Sequence, residues 1–143
     1  MSRVIGVDYG ARRIGLAISD GLGITARPLE VVEPGRFRDR MAELIAEYGV
    51  STVVIGLPSP LGGGESASTV GARALAGELD GLGVEVVFVD ERFTSKMAES
   101  ALLESGMKRR DRRATVDKVA AAIILQTYLD GNFPPEPDVL DHR

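Results

Sequence analysis

Two rhythms of hydrophobic and polar positions run along the chain, and the place where one gives way to the other lays out the architecture. Residues 3–9 (RVIGVDY) and 12–19 (RRIGLAIS) are short apolar runs rich in β-branched side chains, and the Gly10-Ala11 between them reads as a tight hairpin. A third run, from about Ile24 to Val32, follows the turn residues Asp20-Gly21 and is expected to add the next antiparallel strand. From Phe37 the period becomes helical. Phe37, Met41, Leu44, Ile45 and Tyr48 recur on one face, and Gly49 closes the segment.

The second half alternates strand and helix. Ser51–Leu57 (STVVIGL) reads as a buried strand ended by Pro58, followed by a loop carrying Gly62, Gly63 and Gly64. Ala72, Leu75, Ala76 and Leu79 predict a helix ending before Gly81, and Val84–Val89 (VEVVFV) predicts another strand. Thr94 or Ser95 is suited to cap a further helix through about Leu103. A last helix is predicted from the apolar stripe Val116, Val119, Ala120, Ile123, Ile124, Thr127 and Tyr128.

Strands joined by short turns pair antiparallel, whereas strands separated by helices need parallel crossovers. The expectation is therefore an α/β fold: a mixed five-stranded sheet, three antiparallel strands then two parallel, with helices on both faces. One domain is expected over residues 1–133, where Pro134, Pro135 and Pro137 end the pattern and leave 134–143 as a mobile tail.

Composition narrows the chemistry. The chain of 143 residues, 44% of them hydrophobic, is long enough for one well-buried core. No apolar run approaches the ~20 residues that span a bilayer, and no charged-then-apolar leader precedes Val4, so the expected address is the cytoplasm, away from membranes. With no cysteine and a single histidine, His142, a metal site would have to be built from oxygen, which restricts the ions to Mg²⁺, Mn²⁺ or Ca²⁺, with Mg²⁺ or Mn²⁺ expected for phosphodiester hydrolysis.

Three acids stand where such a site would form. Asp8 ends the first strand, Glu91 follows the last strand, and Asp117 opens the stripe of the final helix. In an open α/β sheet the carboxyl ends of the strands are where ligands bind. Gly56, if its strand lies between the other two, contributes no side chain and leaves room for an ion. Each acid also has a plainer reading: Asp8 shapes a turn, Glu91 pairs with Arg92, Asp117 complements a helix dipole. Their convergence on one rim is what points to a metal cage and to hydrolysis of a phosphodiester.

The net charge of −4 argues against a protein that simply coats nucleic acid, but it hides a local pattern. Lys108, Arg109, Arg110, Arg112 and Arg113 form a basic run directly before the helix of Asp117, suited to gripping phosphate oxygens. Arg13, Arg92 and Lys118 are further candidates for substrate binding, and the backbone amides near Thr94 and Ser95 for a neighbouring phosphate at a helix N-terminus.

The segments IGVDYGARRIGLAISD, VVIGLP, VDERFTS and VDKVAAAIIL, in this order, closely resemble the YqgF (RuvX) family of RNase H-like proteins over about residues 3–130. The resemblance implies an RNase H-like fold and a cytoplasmic nuclease acting in 5′-end maturation of 16S rRNA. It also implies a resolvase-like activity on branched DNA in some members, for which a homodimer is the commonest suitable assembly. The family's acidic positions fall on Asp8, Glu91 and Asp117. One stretch departs from the pattern: after Gly56-Leu57-Pro58 the family often has Asn followed shortly by Asp-Gly, where this chain has Ser59-Pro60-Leu61-Gly62-Gly63.

Two rivals stand beside this reading. The first strand pair also resembles the phosphate hairpin of actin-like ATPases and sugar kinases, but those close two domains around a nucleotide and this length supplies one. Gly62-Gly63-Gly64 is followed by Glu65-Ser66, without the lysine a Walker loop needs. The second rival is a non-catalytic RNA-binding module of ribosome assembly, which the presence of all three acids disfavours.

Overall fold

The structure is a computed structural model and describes residues 3–57, 67–90 and 109–131, with the side chains of 67–68 and 109–116 outside that description. The strands are β1 (Arg3–Asp8), β2 (Ile14–Ser19), β3 (Ala26–Val32), β4 (Val50–Leu57) and β5 (Glu85–Asp90). The helices are α1 (Phe37–Tyr48), α2 (Ala67–Glu78) and α3 (Arg109–Leu129), and a 3₁₀ turn at Pro34–Arg36 leads into α1. The sheet order is β3-β2-β1-β4-β5, with β1–β2 and β2–β3 antiparallel and β1–β4 and β4–β5 parallel. The three-then-two pattern read from the sequence is what the chain adopts.

Strand alternation divides the core into two layers. Ile5 and Val7 of β1, Ile14, Leu16 and Ile18 of β2, and Val53 and Ile55 of β4 pack against Phe37, Met41 and Leu44 of α1 and Ala72, Leu75 and Leu79 of α2. Ala17, Val54, Val87 and Val89 occupy the opposite face and meet Ala121, Ile124 and Leu125 of α3. The spacing of Phe37, Met41 and Leu44 turns one stripe of α1 inward. Gly49 ends that helix in the left-handed region, φ 66°, with its N–H donating to the Ile45 carbonyl at 3.0 Å.

Two expectations are corrected. The β1–β2 connection is not a two-residue hairpin at Gly10-Ala11; it spans residues 9–13, from the end of β1 at Asp8 to the start of β2 at Ile14. The final helix does not begin near Val116. It begins at Arg109, so Arg109, Arg110, Arg112 and Arg113 lie within it and Asp117 sits eight residues beyond its first residue. Arginine is a good helix former, and the helix extends through the charged turns although they carry no apolar stripe. The dipole reading of Asp117 loses its basis, since that effect is confined to the first turn. The helix expected over 94–103, the glycine loop at 62–64 and the tail 134–143 lie outside the described residues. No helix among the described residues is long and apolar enough to cross a membrane.

Candidate active site

Asp8 is the last residue of β1, and its backbone pairs with Gly15 of β2. Directly paired residues project to the same side of a sheet, so Asp8 and Gly15 share a face with Gly6 and Ala17. That face is the one covered by α3. A Cβ added to Gly6 would lie 2.7 Å from Leu125 Cβ and 2.8 Å from the Ala121 carbonyl oxygen. A Cβ on Gly15 would run into the carbonyl oxygen of Asp117. Glycine at these two strand positions lets the backbone of α3 settle onto β1 and β2. The closest point of that approach is the backbone of Asp117, which packs on the strand pair that carries Asp8.

Both carboxylates are drawn out of bulk water. Asp8 is buried, with 7% of its surface exposed. The side chain of Asp117 is 21% exposed, and its Oδ2 accepts a hydrogen bond at 2.7 Å from Nε of Arg13, the last residue of the loop that begins after Asp8. One short segment thus starts at one acid and ends on the other.

The rest of the rim follows from strand order. β4 lies between β1 and β5, as the room for an ion requires, and Gly56 pairs with Val89 on the α3-facing side. β5 ends at Asp90, which pairs with Leu57, and Glu91 is the next residue of the chain. Glu91, Arg92, Thr94, Ser95 and Lys108 lie outside the described residues, as do the side chains of Arg109, Arg110, Arg112 and Arg113. Among the described residues no group of three or more acidic or histidine side chains gathers in a metal-binding arrangement. Of the sequence-identified residues, Asp8 stands on the strand pair against which the backbone of Asp117 packs, Arg13 bonds the Asp117 carboxylate, and the backbone nitrogen of Lys118 lies 3.0 Å from where a Gly15 side chain would begin.

The oxygen-only donor set, a buried aspartate and the side-chain-free position Gly56 are compatible with a small hard cation. The role of Gly6 and Gly15 was not singled out from the sequence. The signal that would have found them is a glycine inside an apolar strand, which marks close approach of another backbone.

The model of the RuvX family, described as Holliday junction resolvase, matches residues 2–131. The chain belongs to the RuvX (YqgF) family. A RuvX relative from Lactococcus lactis subsp. cremoris (strain MG1363), named "Putative pre-16S rRNA nuclease", is 40% identical over 137 residues, covering 92% of this chain and 96% of the relative. A protein of the same name from Dictyoglomus turgidum is 46% identical over 132 residues, covering 90% and 94%. Among solved structures, RuvC of T. thermophilus in complex with a Holliday junction substrate aligns with a TM-score of 0.57 at 19% identity, covering 95% of this chain and 100% of that one. T. thermophilus RuvC is also matched in a second structure, with a TM-score of 0.55 at 21% identity. At that identity the likeness speaks for the fold, which is RNase H-like of the RuvC type, in keeping with the RuvX match.

Proposed function

We propose that this RuvX-family chain is a metal-dependent nuclease, a hydrolase of phosphodiester bonds that acts in 5′-end maturation of pre-16S rRNA. The observation that carries the reading is the packing of the Asp117 backbone against Gly15, the β2 partner of Asp8 at the carboxyl end of β1. The names borne by relatives at about 40% identity supply the substrate class. Aspartates gathered at one site repel one another, and a cation between them makes that arrangement favourable.

In this reading Asp8, Asp117 and Glu91, one residue beyond β5, hold Mg²⁺ or Mn²⁺. When bound, such an ion supplies an activated water and neutralises charge on the phosphate oxygens. The protein's own residues position the substrate. Arg13, Arg92 and Lys118 hold the phosphate nearest the acids, the amides at Thr94 and Ser95 receive a neighbouring one, and Lys108, Arg109, Arg110, Arg112 and Arg113 lead the strand along the first turns of α3. A single domain over 1–133 and a cytoplasmic address belong to the same proposal.

The test is to incubate the purified protein with single-stranded RNA, 16S precursor ends and a four-way DNA junction, with and without Mn²⁺. Cleavage of the precursor that needs Mn²⁺ and vanishes in Asp8→Asn is the expected result. Preferential cleavage of the junction moves the assignment to a resolvase-like DNA nuclease working as a two-fold dimer, the reading favoured by the description of the matching family model. Metal-independent binding without cleavage, unchanged in Asp8→Asn, replaces the enzyme with an RNA-binding assembly module.

A further inference from the structure

The Arg13–Asp117 pair joins residues 104 apart in the chain, with Nε 2.7 Å from Oδ2. Its place matters more than its strength. The guanidinium sits on a carboxylate oxygen of an acid assigned above to a divalent ion, in a site where Asp8 adds a second acid. We infer that Arg13 is a stand-in cation: in the metal-free protein it balances Asp117, and an incoming divalent ion must displace it from that oxygen. The inference rests on the metal-site reading of the proposed function and adds to it a competition that has a definite sign.

Three features support displacement over permanent clamping. The Arg13 side chain is 41% exposed and that of Asp117 is 21% exposed, so the pair lies at the edge of the site, where solvent screens it and an ion pair contributes little. Arg13 ends the 9–13 loop outside the regular pairing of β1 and β2, so its side chain can swing without breaking the ladder. A doubly charged ion attracts the carboxylate more strongly than a guanidinium does at equal distance, and it repels the guanidinium. The displaced fork then faces the phosphate that the ion brings in, which links loading of the metal to readiness for substrate.

The rival is a clamp: Arg13 holds Asp117 in the geometry an ion needs. The two differ in the direction of one measurement. Mn²⁺ is titrated calorimetrically into the wild-type chain and into Arg13→Gln, Arg13→Lys and Asp117→Asn, with no nucleic acid present. Competition predicts that Arg13→Gln binds Mn²⁺ about two- to five-fold more tightly at low salt, with the gap narrowing as ionic strength rises. It also predicts that Arg13→Lys, which keeps the charge but not the fork, falls between Arg13→Gln and wild type, and that Asp117→Asn binds far more weakly. Equal or weaker binding by Arg13→Gln overturns the inference while leaving the metal site standing. Should Arg13→Gln fail to fold by circular dichroism, Arg13→Lys carries the same comparison, and affinity at or below wild type overturns the inference. A wild-type chain that takes up no Mn²⁺ overturns both this inference and the metal reading beneath it.

Discussion

The two faces of the sheet are built from different materials. Toward α1 and α2 the strands present Ile5, Val7, Ile14, Leu16, Ile18 and Ile55, met by Phe37, Met41, Leu44 and Leu79, all essentially fully buried. Toward α3, β1 and β2 present Gly6, Gly15 and Ala17, met by Ala121 and the helix backbone itself, while Val54, Val87 and Val89 of β4 and β5 meet Ile124 and Leu125. Large branched side chains each contribute about 1.5–3 kcal/mol on burial. Glycine and alanine contribute little, but they let a helix lie close enough to bring Asp117 onto the strand pair that carries Asp8. Across β1 and β2, the bulky packing sits on one face and the close approach that places Asp117 on the other.

That division can be broken from either side. The largest effect on stability is expected from Phe37→Ala on the first face, about 3–5 kcal/mol by chemical denaturation. Activity per folded molecule, assayed well below the melting temperature, should stay near wild type, because Phe37 belongs to the core layer on the opposite side of the sheet from the α3 layer. Gly15→Ala reverses the pattern. Overpacking against the Asp117 carbonyl should destabilise by about 1–3 kcal/mol, while a displacement of α3 by an ångström lowers nuclease turnover about a hundredfold. If Gly15→Ala lost stability and activity in the same proportion as Phe37→Ala, the division of labour would be wrong.

The large-residue face was legible in the sequence and the small-residue face was not. The α1 stripe and the β-branched alternation of β1, β2 and β4 are signals of burial, and burial follows hydrophobicity. The order of turns and helices then fixed which strands pair antiparallel and which parallel. Asp8 and Asp117 could be nominated because acids at strand ends and beside an apolar stripe stand out. The close approach of α3 to the strand pair that carries Asp8 could not be read, since it depends on what Gly6 and Gly15 lack. The start of α3 at Arg109 escaped for a related reason: a helix whose first turns are charged has no hydrophobic period to announce it. The partner of Arg13 was hidden altogether, because nothing local connects positions 104 residues apart.

A smaller effect probes how firmly α3 is fixed at its other end. Gln126 accepts a hydrogen bond from the Ala26 N–H at 2.9 Å, and its amide donates to the Ile24 carbonyl at 2.9 Å and to Asp130 Oδ1 at 3.0 Å. These bonds tie the β2–β3 turn, with its exposed Leu22 and Ile24, to the helix. Gln126→Ala should destabilise by about 1 kcal/mol and speed amide exchange at Ala26. Turnover should change far less than in Gly15→Ala, since the lesion is on the far stretch of α3. A comparable loss of turnover would mean that the helix is positioned along its whole length rather than at the glycines.

The smallest expected effect lies on the edge strand, in a contact that serves only the stability of the first face. Arg40 of α1 donates to both carboxylate oxygens of Glu30 on β3, Nε to Oε2 at 2.8 Å and Nη2 to Oε1 at 2.7 Å. That hydrogen bonding, working against partial desolvation, holds the Glu30 carboxyl below its ordinary value of 4.5. With the folded-state pKa below the unfolded one, the folded protein binds fewer protons through that range. The contribution is therefore present above about pH 4.5 and is lost as pH falls through the folded value. Asp20, held low chiefly by the Ile24 N–H, weakens in acid as well, so the useful quantity is a difference between variants. Arg40→Gln should lower stability at pH 7 by about 0.5–1 kcal/mol, as expected for a partly exposed pair, and the gap from wild type should be smaller at pH 3. Denaturation curves at both pH values measure that gap. A difference that persists unchanged into acid would assign the role of Arg40 to packing of its aliphatic stem instead of to its charge.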